Sequence, residues 1–347
     1  MLDSYVHAGL YPSAQLFVSL HGKTVINHAV GDARQGVRMT IDTKGRLDCA
    51  GKPVLALGVL WLTSRKLLSL DMPVSSYIPE FGCGNKEKIT VRHLLTNTAG
   101  LFTPTEHGPY RTSPSVLNHI LLSGSIGDLT PGTIAAYDIW GGWYTLAMLI
   151  ERVATIPWDQ FLNQQVLEPM GASAFALVPG SCDQSQYELP YRSVGRHRPI
   201  PVHYLDRPEM LAYPNPAYGA YASMQTLALI YETLADKERC ADILGIDTDF
   251  MRLPQRPELY DETLRRRCSM AFGMWVNLKT WNYSPRISAE AFGMHSHAGT
   301  WGFSDPAIGL VVGLRINGAV QEMSASRRAG GGNPVINAIY HTIADGQ

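Results

Sequence analysis

Asp48-Cys49-Ala50-Gly51-Lys52-Pro53, followed at once by the apolar run 54–62, is the point at which the texture of this chain changes. Proline is tolerated only in the first turn of a helix, because it lacks an N–H and its ring clashes with the turn before it. Pro53 therefore predicts a helix starting near Cys49 or Ala50, with Asp48 or Cys49 as its cap. Leu55, Val59 and Leu62 continue it at helical spacing. A cysteine at a helix N-terminus lies in partial positive charge, which favours the thiolate. Lys52, three residues on, shares its face. It can lower the thiol pKa as an ammonium or take the thiol proton as a neutral amine. The same C-x-x-K pattern also describes an ordinary buried cysteine beside a surface lysine.

Upstream of this point the chain reads as strand: Ala14-Gln15-Leu16-Phe17-Val18-Ser19-Leu20, a turn at His21-Gly22-Lys23, then Thr24-Val25-Ile26. Downstream, to about residue 240, helical spacing recurs in Leu146, Leu149, Ile150 and Val153, then in Leu227, Ile230 and Leu234. Strand character returns over 270–278 and 308–314, and a last helix runs from about 334 to 343. These runs predict an α+β fold: a sheet domain of 1–45 and 265–347 and a mainly helical domain of 46–264. The segment 179–216, rich in Pro, Tyr, Arg and His, reads as long and irregular, a kind of segment more often functional than structural.

The chain has 347 residues, 45% hydrophobic and 17% charged, with a formal net charge of −1. That composition excludes wholesale disorder, and the balanced charge gives no general footprint for nucleic acid or an anionic membrane. The five cysteines, Cys49, Cys83, Cys182, Cys240 and Cys268, are scattered and form no C-x-x-C pair, against a disulfide framework or zinc ribbon. Met1-Leu2-Asp3-Ser4-Tyr5 shows no basic and apolar leader, and the longest apolar stretch is too short to span a bilayer. The expectation is a cytoplasmic enzyme. His295 and His297 form an H-x-H pair, but without a third ligand at metal spacing no metal is expected.

Thr90-Val91-Arg92-His93-Leu94-Leu95-Thr96-Asn97-Thr98-Ala99-Gly100-Leu101 resembles the V-x-x-L-L-T-H-T-S-G-L signature of class C β-lactamase-like proteins, a family that includes penicillin-binding proteins and related esterases. Leu70-Asp71-Met72-Pro73-Val74, Ile78-Pro79-Glu80-Phe81 and Leu167-Glu168-Pro169-Met170-Gly171 resemble other segments of it, in the family's order. The resemblance implies a β-lactamase/transpeptidase-like fold, with the site in the cleft between the two domains. It also implies three catalytic marks. The S-x-x-K serine position is Cys49 and its lysine Lys52. The tyrosine of Y-x-N is Tyr137, with Ile139 where asparagine often stands. The K-T-G or H-x-G triplet is His297-Ala298-Gly299. The family would place the oxyanion hole at the backbone N–H groups of Cys49 and Thr300. Asp138, Ile139, Tyr221 and Trp301 are the expected substrate-binding residues. Tyr137 read alone is one of 16 tyrosines, and His93 reads as a packing residue at a helix start.

A cysteine in place of serine makes the covalent intermediate a thioester, which reacts more readily with amines than with water. A histidine in place of the triplet lysine makes a β-lactam carboxylate a poorer match than an ester. Together these imply an acyltransferase that takes an acyl group from a small-molecule ester onto Cys49 and passes it to an amine, with Lys52 and Tyr137 moving the protons. It would need neither cofactor nor ATP, and no P-loop is present. The chain is compatible with the transacylases of capuramycin-type nucleoside antibiotic biosynthesis, which exchange an ester for an amide. The alternatives are a carboxylesterase, amidase or β-lactamase-like hydrolase, and an inactive binding protein of the same fold.

Overall fold

The computed structural model describes residues 1–101, 114–180, 183–193, 198–281, 283–319 and 333–345; Cys182 lies outside them. The N-terminal hairpin forms as read: β1 (Ser13–Leu20) turns through His21 and Gly22 into β2 (Lys23–Arg34), continued by the short β3 (Val37–Arg38). The later strands are β4 (Arg256–Asp261), β5 (Arg266–Met270), β6 (Trp275–Val276), β7 (Phe292–His295), β8 (Thr300–Asp305) and β9 (Leu310–Ile316). All nine make one antiparallel sheet in the order β3-β2-β1-β9-β8-β7-β6-β5-β4. Its centre joins the two ends of the chain, with Ala14 opposite Ile316 and Leu20 opposite Leu310.

The apolar run 270–278, read as one strand, folds as a tight hairpin instead. Ala271 N–H donates to Met274 O at 2.9 Å, and Trp275 returns opposite Met270. Gly273 sits at the bend with φ +70°, and a Cβ there would lie 2.6 Å from Ala56 Cβ. The bend is thus where the sheet meets the helix after Cys49. Strand β4 also lies before residue 265, inside the stretch expected to be helical.

One face of the sheet carries α1 (Leu2–His7) and α5 (Pro334–Asp345), whose Leu2, Val335, Ile336, Ile339 and Tyr340 pack with Leu16, Val18, Val312 and Leu314. The other face carries α4 (Met224–Ala235) and the helical layer, in which α2 (Lys52–Ser64) packs against α3 (Gly141–Ala154). Helix α2 is buried along nearly its whole length, from Lys52 to Leu62. A helix hydrophobic on all sides belongs in the middle of a core, and α2 occupies that place, with its N-terminal end against the sheet. No helix among the described residues is long and apolar enough to cross a membrane.

Candidate active site

Cys49 lies in a single 3₁₀ turn, Asp48–Gly51, that runs into α2 at Lys52. No side chain caps this turn, so the expected role of Asp48 or Cys49 as cap is not realised. The Asp48 carboxylate is taken by Arg46, whose Nε donates to it at 2.7 Å. Asp48 itself has φ +49°, a left-handed conformation that aspartate tolerates better than most residues. Arg46 is buried and fixed from behind, donating from Nη2 to Tyr218 O at 2.9 Å. This kink leaves Cys49 half-buried and facing a cleft.

Lys52 is fully buried and donates from Nζ to Tyr137 OH at 2.8 Å, Ile139 O at 3.0 Å and Asp138 O at 3.3 Å. Burial pushes its pKa below the ordinary lysine value, against the opposing pull of Cys49 and Asp138. Burial likewise raises the Tyr137 hydroxyl well above the usual phenol range, and the neighbouring Cys49 adds to it. Cys49 lies close enough to both groups to contribute to both shifts. An amine eased toward neutrality, a phenol that holds its proton and a thiol thus form one connected chain. Such a chain can take a proton from the thiol and return it to a leaving group.

The surroundings fix that chain. Tyr137 N–H donates to Asp261 Oδ1 at 3.0 Å, and Asp261 is paired with Arg256 at 2.9 Å with both side chains fully buried. Trp275 packs on the Tyr137 ring, centroids 5.5 Å apart. Asn97, in the Thr90–Leu101 stretch, accepts the Asp138 N–H at 3.0 Å. His93 in the same stretch is a helix-start residue as read, forming a reciprocal capping box with Thr90.

On the facing wall, His297 and Ala298 line the cleft, and Gly299 turns the chain with φ +83°. A Cβ at Gly299 would lie 2.3 Å from Ile316 O, so only glycine fits. Arg315 holds this turn, donating to Ala298 O at 2.6 Å and Thr300 Oγ1 at 3.0 Å. Its own partner is the buried Glu188, with Nε to Oε1 at 2.6 Å. Desolvation in the cleft lowers the His297 pKa, with Arg192 lowering it further, which favours the neutral imidazole. The Thr300 N–H, expected in the oxyanion hole, donates to Ser296 Oγ at 3.1 Å. A substrate oxygen would have to compete with that hydroxyl for the donor.

Three of the four expected substrate-binding residues are placed elsewhere. Asp138 is buried, and its carboxylate accepts the N–H groups of Trp140 at 3.1 Å, Gly141 at 3.0 Å and Gly142. It satisfies the first donors of α3, the usual use of an aspartate at a helix start. Trp301 is 4% exposed and packs in the sheet core, because its side of β8 faces the terminal helices. Tyr221 is 1% exposed, in a short strand paired with Gly45–Arg46, its ring beneath the Arg46 guanidinium. Ile139 alone reaches the cleft. His295 is buried, with Nδ1 3.0 Å from Tyr283 OH and its ring against Trp281, and burial drives its pKa down to about 3. Among the described residues no group of three or more His, Cys, Asp or Glu converges as a metal site would require.

The cleft has a volume of ≈ 340 Å³. Its outer wall comes from residues that no motif identified: Pro190, Tyr191, Arg192, Val202, Tyr204 and Leu205, with Tyr218 beside Asp48. That wall belongs to the irregular segment 179–216 and is anchored by Arg34, which pairs with Asp206 at 3.0 Å and donates to Tyr187 O. The only sequence signal for it is the composition of the segment.

The model of the family described as Beta-lactamase matches residues 2–331. The chain belongs to the beta-lactamase family. Among curated relatives, Esterase EstB of Burkholderia gladioli is 30% identical over 209 residues, 54% of this chain and 52% of that protein. The putative penicillin-binding protein PbpX of Bacillus subtilis is 26% identical over 161 residues, 46% of this chain and 40% of that protein. The matched stretch is thus about half or less of each relative's length. Among solved structures, EstCE1, described as a hydrolase with promiscuous acyltransferase activity, superposes with a TM-score of 0.78 at 22% identity, covering 94% of each chain. A family VIII carboxylesterase gives a TM-score of 0.75 at 21% identity, covering 91% of this chain and 89% of that one. These structures establish a β-lactamase/transpeptidase-like fold for this member of the beta-lactamase family.

Proposed function

We propose that this chain is an acyl-transferring enzyme that acts on small esters through Cys49 and delivers the acyl group to an amine. The observation that carries the reading is the 2.8 Å hydrogen bond between Lys52 Nζ and Tyr137 OH, next to Cys49, which faces the cleft and perturbs both groups. Cys49 Sγ attacks the ester carbonyl as its proton passes to the Tyr137–Lys52 pair. The C–O bond breaks, and the alcohol leaves with that proton. An amine then attacks the thioester, giving its proton to the same pair; the C–S bond breaks, and the thiol is restored as the amide leaves. The acyl energy is already in the ester, so no ATP enters.

Hydrolysis is the second reading, supported by the relatives named as esterases. Both share the acylated Cys49 and differ in what removes the acyl group. Intact-protein mass spectrometry with activated esters should show one acyl group on the protein, absent in Cys49→Ala. With primary amines present, amide should exceed acid. If acid dominates with every amine, and at an unchanged rate, the chain is a cysteine esterase. If no acyl adduct forms and Cys49→Ala turns esters over normally, the covalent reading is wrong.

A further inference from the structure

We infer that Arg192 makes the mouth of this cleft an anion-binding subsite, so that the preferred ester carries a carboxylate or similar anionic group away from its reacting carbonyl. The inference rests on the cleft being the acyl-transfer site, and deepens that reading by naming a substrate class.

The argument is one of charge. The charged side chains lining the cleft are Arg46, Arg192 and Arg315 against a single carboxylate, Asp48. Arg46 is held by Asp48, and Arg315 by Glu188 behind the wall. Asp206, on the same flap, is taken by Arg34. Arg192 is exposed, and no carboxylate among the described residues lies within ion-pair distance of it.

Its backbone, by contrast, is fixed. Tyr191–Arg192 pairs with Ile200–Pro201, Tyr191 N–H donates to Asn317 Oδ1 at 3.0 Å, and Arg192 bridges to Gly318. Ser193 Oγ adds a bond to Gly318 O. These anchors join the wall to the end of β9, beside the His297–Thr300 turn. The positive charge is felt there, since Arg192 is one of the groups that depress His297. A guanidinium without a carboxylate partner, on an anchored wall flanked by Tyr191, Tyr204 and Val202, suits an anion on a partly apolar ligand.

Two arms test this. In the first, p-nitrophenyl hemisuccinate is compared with p-nitrophenyl butyrate, and 4-acetoxybenzoate with its methyl ester, so that the charge lies on the acyl or the leaving side. At least one anionic ester should be favoured in kcat/KM by about ten- to a hundredfold, the range for a hydrogen bond to a charged group. The preference should shrink with salt, collapse toward unity in Arg192→Gln and partly return in Arg192→Lys. The second arm needs no turnover. Succinamate and butyramide are titrated into Cys49→Ala while the His297 imidazole is followed by NMR. Succinamate should bind more tightly and raise the His297 pKa, and Arg192→Gln should abolish the difference. Equal binding of the two amides, or a preference that survives Arg192→Gln, overturns the inference. A preference in binding without any acylation of Cys49 would sink the acyl-transfer reading and leave the anion subsite standing.

Discussion

Replacing Asp138 separates a residue that touches substrate from one that builds the site. In the structure its carboxylate accepts three backbone N–H groups at the buried start of α3. Asp138→Ala leaves those donors without a protein partner. A lost cap costs about 1 kcal/mol, and each unsatisfied buried donor roughly as much again, so the expected loss is roughly 3–5 kcal/mol. Asp138→Asn keeps one acceptor oxygen in place and should lose only about 1–2 kcal/mol. Lys52 is held by the backbone carbonyl of residue 138, not by its carboxylate oxygens. Asp138→Asn should therefore keep ester turnover well above the roughly hundredfold loss that follows removal of a positioned acid or base. Urea unfolding followed by tryptophan fluorescence, with Trp140 and Trp143 beside the cap, gives the first number, and initial rates below the transition give the second. An Asp138→Asn protein that unfolds at the wild-type midpoint yet loses a hundredfold in kcat/KM would show that the carboxylate meets substrate, and the capping argument would fail.

Two more outcomes follow from buried charge. His295 has its pKa pushed down to about 3 by burial, against the usual 6.5 of an imidazole in the unfolded chain. Between those values the unfolded chain binds a proton that the native one does not, so stability should rise with pH and fall on acidification. This group contributes up to about 1.4 kcal/mol per pH unit. Unfolding free energies at pH 7.5, 6 and 5 should show that slope in the wild type and a shallower one in His295→Gln; equal slopes would count against a neutral buried imidazole. Glu188→Gln should cost about 3–5 kcal/mol by leaving Arg315 buried without its counter-charge. It should also lower turnover, since Arg315 holds the Ala298 carbonyl. A fully active variant with an unchanged urea midpoint would refute that.

What could be read from the sequence was whatever local spacing controls. Cys49 and Lys52 share a helix start because Pro53 fixes where that start is, and Ala14–Leu20 pairs with the next strand across a glycine turn. The resemblance drew Tyr137 and His297 toward the same place. Burial from distant parts of the chain was not legible. Trp301 and Tyr221 look like ligand-facing aromatics until the terminal helices and the Arg46 guanidinium cover them. Asp138 looks like a binding carboxylate until α3 begins three residues later. Strands β7 and β8 are buried on both faces and carry Gly293 and Gly302, so no alternation marks them in the sequence. The outer wall of the cleft is held by Arg34, Asn317 and Gly318, all remote in sequence from 187–206.

The pairing of Ala14 with Ile316 sets an order of assembly. The first long strand cannot meet its inner neighbour until the last strand exists, while α2 and its cysteine are made early. Contacts so far apart in sequence close slowly. During synthesis Cys49 would therefore emerge from the ribosome well before the turn at His297–Thr300 across the cleft from it. The cleft would be completed in one late event, when β9 slots between β1 and β8. A nascent or truncated chain ending before residue 310 would carry Cys49, Lys52 and Tyr137 and still have no cleft in which to use them.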